Sequence, residues 1–246
     1  MEPKSYIAVD IETTGLSPVK DRIIEIGAVK VMEGKIVEIF NELVDPQIEL
    51  NDRIIGLTGI TDKMLCGKRK ISSVIKDFIA FSEELPLLGH NILFDYSFLK
   101  IAAAKETMDF SRCGYDTLLL GRSLHSELES KSLEAMCQHY GIKNEQQHRA
   151  YHDAVATHEL FQKLIKHKEG TTQMFLPKPL FYRIPKIEPM TVKQKNYLMN
   201  LLKYHKIETR QSIETLTKSE ASRMIDKIIF FISSTISSNP FVPSII

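Results

Sequence analysis

SYIAVDIETTGL, residues 5–16, opens the chain on an apolar run that ends in acid. Ser5–Asp10 is rich in apolar and β-branched residues, the composition of a buried central strand. Side chains alternate faces along a strand, so Asp10 and Glu12 point to the same side if the strand extends that far. Two carboxylates buried together repel each other and lose hydration, which is costly unless a cation neutralises them. Gly15 and Pro18 then end the strand.

Two later segments supply more acids. In GHNILFDYSFL, residues 89–99, the spacing of Phe94, Phe98 and Leu99 predicts a buried helix face, with Asp95 beside it near the helix start. In HRAYHDA, residues 148–154, His148 and Asp153 lie five positions apart, about 140° around an ideal helix. A helix carrying both would aim them apart, so the helix is expected to begin between them. His152 adjoins Asp153 but would project roughly 100° away from it, so His148 is the preferred base. A DxE pair on a strand is a weak signal alone, and Asp95 and Asp153 each have a plain structural explanation, because an Asp near a helix N-terminus is favourable without any further role. Their joint occurrence is harder to dismiss. Four carboxylates suit hard divalent cations such as Mg²⁺ or Mn²⁺, and an imidazole titrating near neutrality can take a proton from a water. Two such cations are a known means of cutting a phosphodiester.

VDIETTGL (9–16), HNILFDYSFL (90–99) and HRAYHD (148–153) resemble the three exonuclease motifs of the DEDDh family. These are 3′–5′ exonucleases of the RNase H-like group, which includes the proofreading subunit of bacterial DNA polymerase III. IIEIGAVKV (23–31) and IIGLTGIT (54–61) resemble the family as well, and the likeness runs over roughly residues 4–167. A sister subfamily has a tyrosine where this chain has Arg149. The resemblance implies a metal site of Asp10, Glu12, Asp95 and Asp153 for two divalent cations, Mg²⁺ or Mn²⁺. Asp10 would bridge both, Glu12 and Asp153 would complete the site nearer the attacking water, and Asp95 would serve the second. His148 would remove the proton. Thr13, Thr14, Gly15 and Leu16 would hold the 3′-terminal nucleotide, with Leu16 as a wedge against the last base. Asn91 and Phe94 would also face substrate, while His90 would be structural. The products would be nucleoside 5′-monophosphates.

The expected fold is α/β, an RNase H-like mixed β-sheet flanked by helices, with a small C-terminal helical module. Strands are predicted near 5–11, 22–32, 35–45, 86–89 and 110–113, the second and third forming a hairpin around Glu33-Gly34. Helices are predicted near 52–56, 71–82, 94–105, 115–123, 131–140 and 152–167. The exonuclease domain is thus expected over 1–167, so a cut after His167 would keep every expected catalytic group.

Residues 168–190 carry four prolines and no helical period, and read as an extended linker. Met174, Phe175, Leu176, Phe181 and Tyr182 are more apolar than a tether needs, which favours their docking on a neighbouring domain. TTQMF vaguely resembles a sliding-clamp-binding peptide but lacks the leading glutamine at the right offset. Residues 191–232 form the small module: Thr191…Gln194 and Thr217…Glu220 are capping-box patterns, each followed by an apolar stripe. Eight lysines and arginines there face four acids, consistent with a solvated surface or with nucleic-acid or protein docking. The tail, 233–246, is expected to be disordered.

The chain of 246 residues is 43% hydrophobic and 26% charged, which is ordinary for a globular protein and leaves room for one full domain plus a small one. A net charge of only +1 advertises no global attraction to nucleic acid, though an enzyme gripping a few terminal nucleotides needs none. Cys66, Cys113 and Cys137 show no CxxC spacing, favouring a reducing, cytoplasmic setting over disulfides or zinc. No apolar signal region or membrane span is visible. The leading expectation is an exonuclease acting on a single-stranded or frayed 3′ end of DNA, in proofreading or repair. RNA is an alternative substrate, and a non-catalytic replisome adaptor a third reading. A DNA polymerase or a sliding clamp is a candidate partner; no polymerase domain is expected within these residues.

Overall fold

The computed structural model describes residues 3–144, 146–166, 172–185, 188–207, 209, 213 and 216–236. The chain divides into two compact units, Met1–Ile184 and Pro185–Ile246.

The first unit is built on a seven-stranded mixed sheet. The long strands β1 (Tyr6–Thr13), β2 (Ile23–Met32) and β3 (Lys35–Asp45) form an antiparallel meander. β5 (Leu87–Gly89) joins β1 in parallel, β6 (Cys113–Asp116) joins β5 in parallel, and two-residue strands close the edges: β4 (Arg69–Lys70) and β7 (Lys178–Pro179). The spatial order is β4-β3-β2-β1-β5-β6-β7, which puts β1 at the centre. This is the expected mixed sheet with flanking helices.

The pleat of β1 divides the core. Ile7, Val9 and Ile11 pack on one face with α3 (Ile71–Ser82) and α4 (Ile92–Lys105), through Val74, Phe78, Tyr96 and Leu99. Tyr6 and Ala8 face the other way. There they meet α5 (Thr117–Leu124), α6 (Leu133–Tyr140) and α7 (Ala150–Lys166), through Leu120, Met136, Leu160 and Phe161. Asp10 and Glu12 continue the series of Tyr6 and Ala8, so they fall on the face covered by α7.

Several boundaries differ from expectation for identifiable reasons. β1 runs to Thr13, beyond the expected end at 11, because β2 pairs with it that far, with a register shift after Glu12. The strand expected at 110–113 lies at Cys113–Asp116. Phe110 is buried instead, and its carbonyl accepts bonds from Tyr96 Oη and Lys100 Nζ. α1 (Asp52–Thr58) stops at Gly59, whose positive φ of 69° suits a glycine cap, and the short α2 (Asp62–Leu65) was not expected.

The segment read as a linker, 168–190, is partly built into the first unit. Thr172–Phe175 forms a 3₁₀ turn that places Phe175, 2% exposed, in the core beside Phe161. Lys178–Pro179 extends the sheet, and Leu180 and Tyr182 pack on the opposite core. Burial of Phe175 leaves the TTQMF segment unable to offer that ring to a clamp.

The second unit contains α8 (Val192–Tyr204) and α9 (Lys218–Ile236). Thr191 and Gln194 exchange the two bonds of a capping box, and so do Thr217 and Glu220. Leu198 and Leu202 of α8 pack with Leu216, Ile225 and Ile228. Tyr197, next to Leu198 in α8, is exposed. α9 continues through 233–236, four residues into the segment expected to be disordered; residues 237–246 lie outside the described ones.

Candidate active site

Three elements bring the expected acids to one place. β1 delivers Asp10 and Glu12 on one face. α4 lies on the opposite face of the sheet, yet Asp95 in its first turn reaches the strand end, where its Oδ1 accepts the Ile11 amide at 3.0 Å. α7 begins at Ala150, between His148 and Asp153 as the spacing required, so Asp153 lies in its first turn and His148 on the loop before it. Asp10, Glu12, Asp95, His148 and Asp153 all line one cavity of about 280 Å³, together with His90, Asn91, Phe94, Ser132, Glu134, Asn144 and Gln147.

Non-glycine residues in the left-handed region precede both helices, Asn91 at φ 72° and His148 at φ 60°. Asparagine and histidine tolerate that region better than most residues, and such turns let the chain enter a helix sharply. The turn at His148 lets its amide donate to Asp153 Oδ2 at 3.0 Å while the imidazole stays exposed.

The electrostatics are those of negative charges forced together. Burial, then Asp95, Asp153, Glu12 and Glu25, push Asp10 well above the ordinary carboxyl range. Asp10 keeps some exposure toward the cavity but is hemmed in by protein and by these acids. Burial first, and then Asp153 and Glu25, raise Glu12 to about 8. Burial raises Asp95 to about 8 against the pull of the Ile11 amide. Asp153 is raised by burial too, opposed by its bonds from Asn144 and the His148 amide. Carboxylates so placed favour a proton or a cation. Glu12, His148 and Asp153 each present a ligand atom within 4.8 Å of the others. A donor set made almost wholly of carboxylate oxygens fits a hard divalent ion.

The remaining expected residues are placed unevenly. Asn91 and Phe94 line the cavity, whereas Thr13, Thr14, Gly15 and Leu16 do not. Thr13 Oγ1 donates to the Gly15 carbonyl and Thr14 Oγ1 accepts the Arg22 amide, so both hydroxyls hold the turn after β1. Leu16 projects from that turn, 83% exposed. His90 bonds Thr117 Oγ1 and the Lys131 carbonyl, and burial lowers its pKa, in keeping with a structural histidine at the cavity wall. His152 lies against Tyr151 and does not line the cavity.

Sequence reasoning missed three supporting residues. Glu25 on β2 stands opposite Glu12 and is fully buried. Both its oxygens accept Arg149 Nε, at 3.2 and 3.1 Å, Oε1 also accepts Arg149 Nη2 at 2.7 Å, and Oε2 accepts the Ala150 amide. Two residues on, Gly27 leaves the start of α7 room to lie against the strand: a Cβ there would sit 2.0 Å from the Tyr151 nitrogen. Glu25 was legible as the one charge in the apolar run IIEIGAV. Asn144, which donates to Asp153 Oδ1, carried no signal.

Comparisons with known proteins place the chain in a family. The RNase T family model, described as "Exonuclease", matches residues 7–161. The PolC-type DNA polymerase III of Bacillus subtilis (strain 168) is 40% identical over 168 residues, covering 68% of this chain but 12% of its own length. That of Caldanaerobacter subterraneus is 40% identical over 161 residues, covering 65% of this chain and 12% of the relative. The chain therefore spans about an eighth of these relatives. Among solved structures, an E. coli exonuclease I complex with single-stranded DNA superposes with a TM-score of 0.59 at 21% identity, covering 67% of this chain and 41% of that one. Exonuclease X bound to 5′-overhanging duplex DNA gives 0.55 at 24% identity, covering 69% and 96%. At those identities the likeness speaks for the shared RNase H-like exonuclease fold. With the family model covering six of the seven strands and all three acid-bearing segments, the chain belongs to the RNase T/DEDDh family of 3′–5′ exonucleases, which hydrolyse phosphodiester bonds.

Proposed function

We propose that this protein removes nucleotides one at a time from the 3′ end of DNA, releasing nucleoside 5′-monophosphates, in proofreading or repair. The observation that carries this reading is the convergence of Asp10, Glu12, Asp95, Asp153 and His148 on one open cavity. The likeness to PolC-type DNA polymerases favours DNA as the substrate.

Asp10, Glu12, Asp95 and Asp153 would hold the divalent ions that DEDD exonucleases use, with Asp10 central because the other acids surround it. When bound, such ions supply charge neutralisation and polarise both the attacking water and the leaving oxygen. The residues do the rest. His148 is exposed at the cavity mouth, with its own amide tied to Asp153, so its imidazole is free to accept the proton of the attacking water. Asn91 and Phe94 flank the acids and would orient the terminal nucleotide. Leu16, exposed on the turn that follows β1, would press on the last base.

The test compares 5′-labelled single-stranded DNA, duplex DNA with a mismatched 3′ end, and single-stranded RNA, with products resolved by chromatography. Expected are 5′-monophosphates, released faster from DNA than from RNA and faster from a mismatched than from a paired end. RNA consumed faster than DNA would reassign the substrate.

A further inference from the structure

We propose that the outer face of α8 is a binding surface for single-stranded nucleic acid. The inference rests on the exonuclease reading only for its substrate class. Residues 192–206, VKQKNYLMNLLKYHK, contain four lysines and no acid. A helix surface built only for solubility mixes signs and forms i, i+4 ion pairs; α8 cannot form one within itself. Among the described residues, Lys193, Lys203 and Lys206 pair with no carboxylate. Lys193 moreover lies in the first turn, where the helix dipole disfavours a cation. A phosphate nearby would relieve that.

Lys193 shares a face with the aromatic residues, and Lys203 flanks that face. At 100° per residue, Lys193, Tyr197, Asn200 and Tyr204 fall within about 60° of the helix circumference. Leu198 and Leu202 turn the other way, into the core with α9. Tyr197 is 49% and Tyr204 83% exposed, so neither ring is spent on packing the unit. The His205 ring stands edge-on to Tyr204, 4.9 Å between centroids. The two tyrosines are two helical turns apart, roughly 10 Å along the axis. Exposed aromatic rings interleaved with cations are the means by which proteins hold single strands without sequence preference: bases stack on the rings while phosphates meet the lysines. A duplex keeps its bases stacked on one another and offers the tyrosines nothing, so the single strand is the occupant that uses both features.

The experiment uses the full chain with Asp10→Asn to suppress hydrolysis, and fluorescence anisotropy with 5′-labelled dT30 between 50 and 200 mM salt. Tyr197→Ala with Tyr204→Ala is expected to weaken binding by about tenfold or more, since each stacked base is worth a measurable fraction of affinity. Tyr197→Phe with Tyr204→Phe keeps the rings and is expected to bind within about twofold of the parent. Converting Lys193 and Lys203 to Gln is expected to lower the slope of log affinity against log salt by about 1.4, at roughly 0.7 per phosphate. Helical circular dichroism confirms that each variant folds. Unchanged affinity and salt slope in the alanine and glutamine variants, or equal competition by a blunt duplex, would overturn the proposal. With Asp10 intact, the same variants are expected to hydrolyse dT4 at the parental rate. If the parent itself hydrolyses nothing, the exonuclease reading fails while the anisotropy still decides this one.

Discussion

Asp10 shows what the site costs the fold without a cation. Asp10, Glu12, Asp95 and Asp153 all titrate above their ordinary values in the folded protein, Glu12 and Asp95 near 8. The folded chain therefore holds more protons than the unfolded chain between about pH 4 and 8, and its stability falls as pH rises through that window. In EDTA, the melting temperature is expected to drop between pH 5.5 and 8, and Mg²⁺ or Mn²⁺ should restore it most at the higher pH. Asp10→Asn should flatten the dependence; a melting curve as steep as the parent's would remove Asp10 from the repelling cluster. His148 is tested against its neighbour. His148→Ala is expected to retain metal binding and lose on the order of 10²–10⁴ in rate, as general-base loss usually does, whereas His152→Ala should be mild. Single-turnover rates at saturating metal decide between them. A greater loss at His152 would reverse the assignment.

The start of α7 positions both His148 and Asp153. Arg149 lies between His148 and Asp153, and Glu25 on the neighbouring strand grips it through both oxygens. Arg149 is 28% exposed and Glu25 almost wholly buried, so the pair is largely dry. Removing one charge from such a pair commonly costs about 3–5 kcal/mol, because the partner is left unpaired. Glu25→Gln keeps the shape and is expected to destabilise the first unit by roughly that amount in urea unfolding. It should also lower turnover beyond what the unfolded fraction explains, since His148 and Asp153 flank the released residue. A variant as stable and as active as the parent would show that Gly27 and the apolar packing of α7 hold the helix unaided.

The whole chain is two units, and the end of the first is later than its motifs suggest. A cut after residue 167 keeps every acid, but it strips Phe175 from the core and β7 from the sheet. Losing a fully buried aromatic costs about 1.5–3 kcal/mol from transfer alone. For a unit of this size that is a melting point lower by about 5 °C or more. A cut after Ile184 should leave both stability and dT4 hydrolysis unchanged, and calorimetry of the two fragments separates the cases. No helix among the described residues is long and apolar enough to cross a membrane, and the cysteines are free, Cys137 buried and Cys66 and Cys113 exposed.

Much of this was legible before any coordinates. The alternation in SYIAVDIE put Asp10 and Glu12 on one face, and the 140° between His148 and Asp153 placed a helix start between them, because strand and helix periods are local properties of the backbone. The capping boxes at Thr191 and Thr217 were local for the same reason. What lay beyond local reading depends on partners distant in sequence. Phe175 is buried because Phe161 and its neighbours leave room for it, and β7 is a strand only because β6 lies beside it. Glu25 is tolerated inside a strand because Arg149, 124 positions later, arrives to neutralise it. The hydroxyls of Thr13 and Thr14 turn away from the cavity because backbone groups nearby claim them. Hydrophobic period and capping follow from neighbours along the chain; burial, pairing and the sharing of one cavity by three elements follow only from packing.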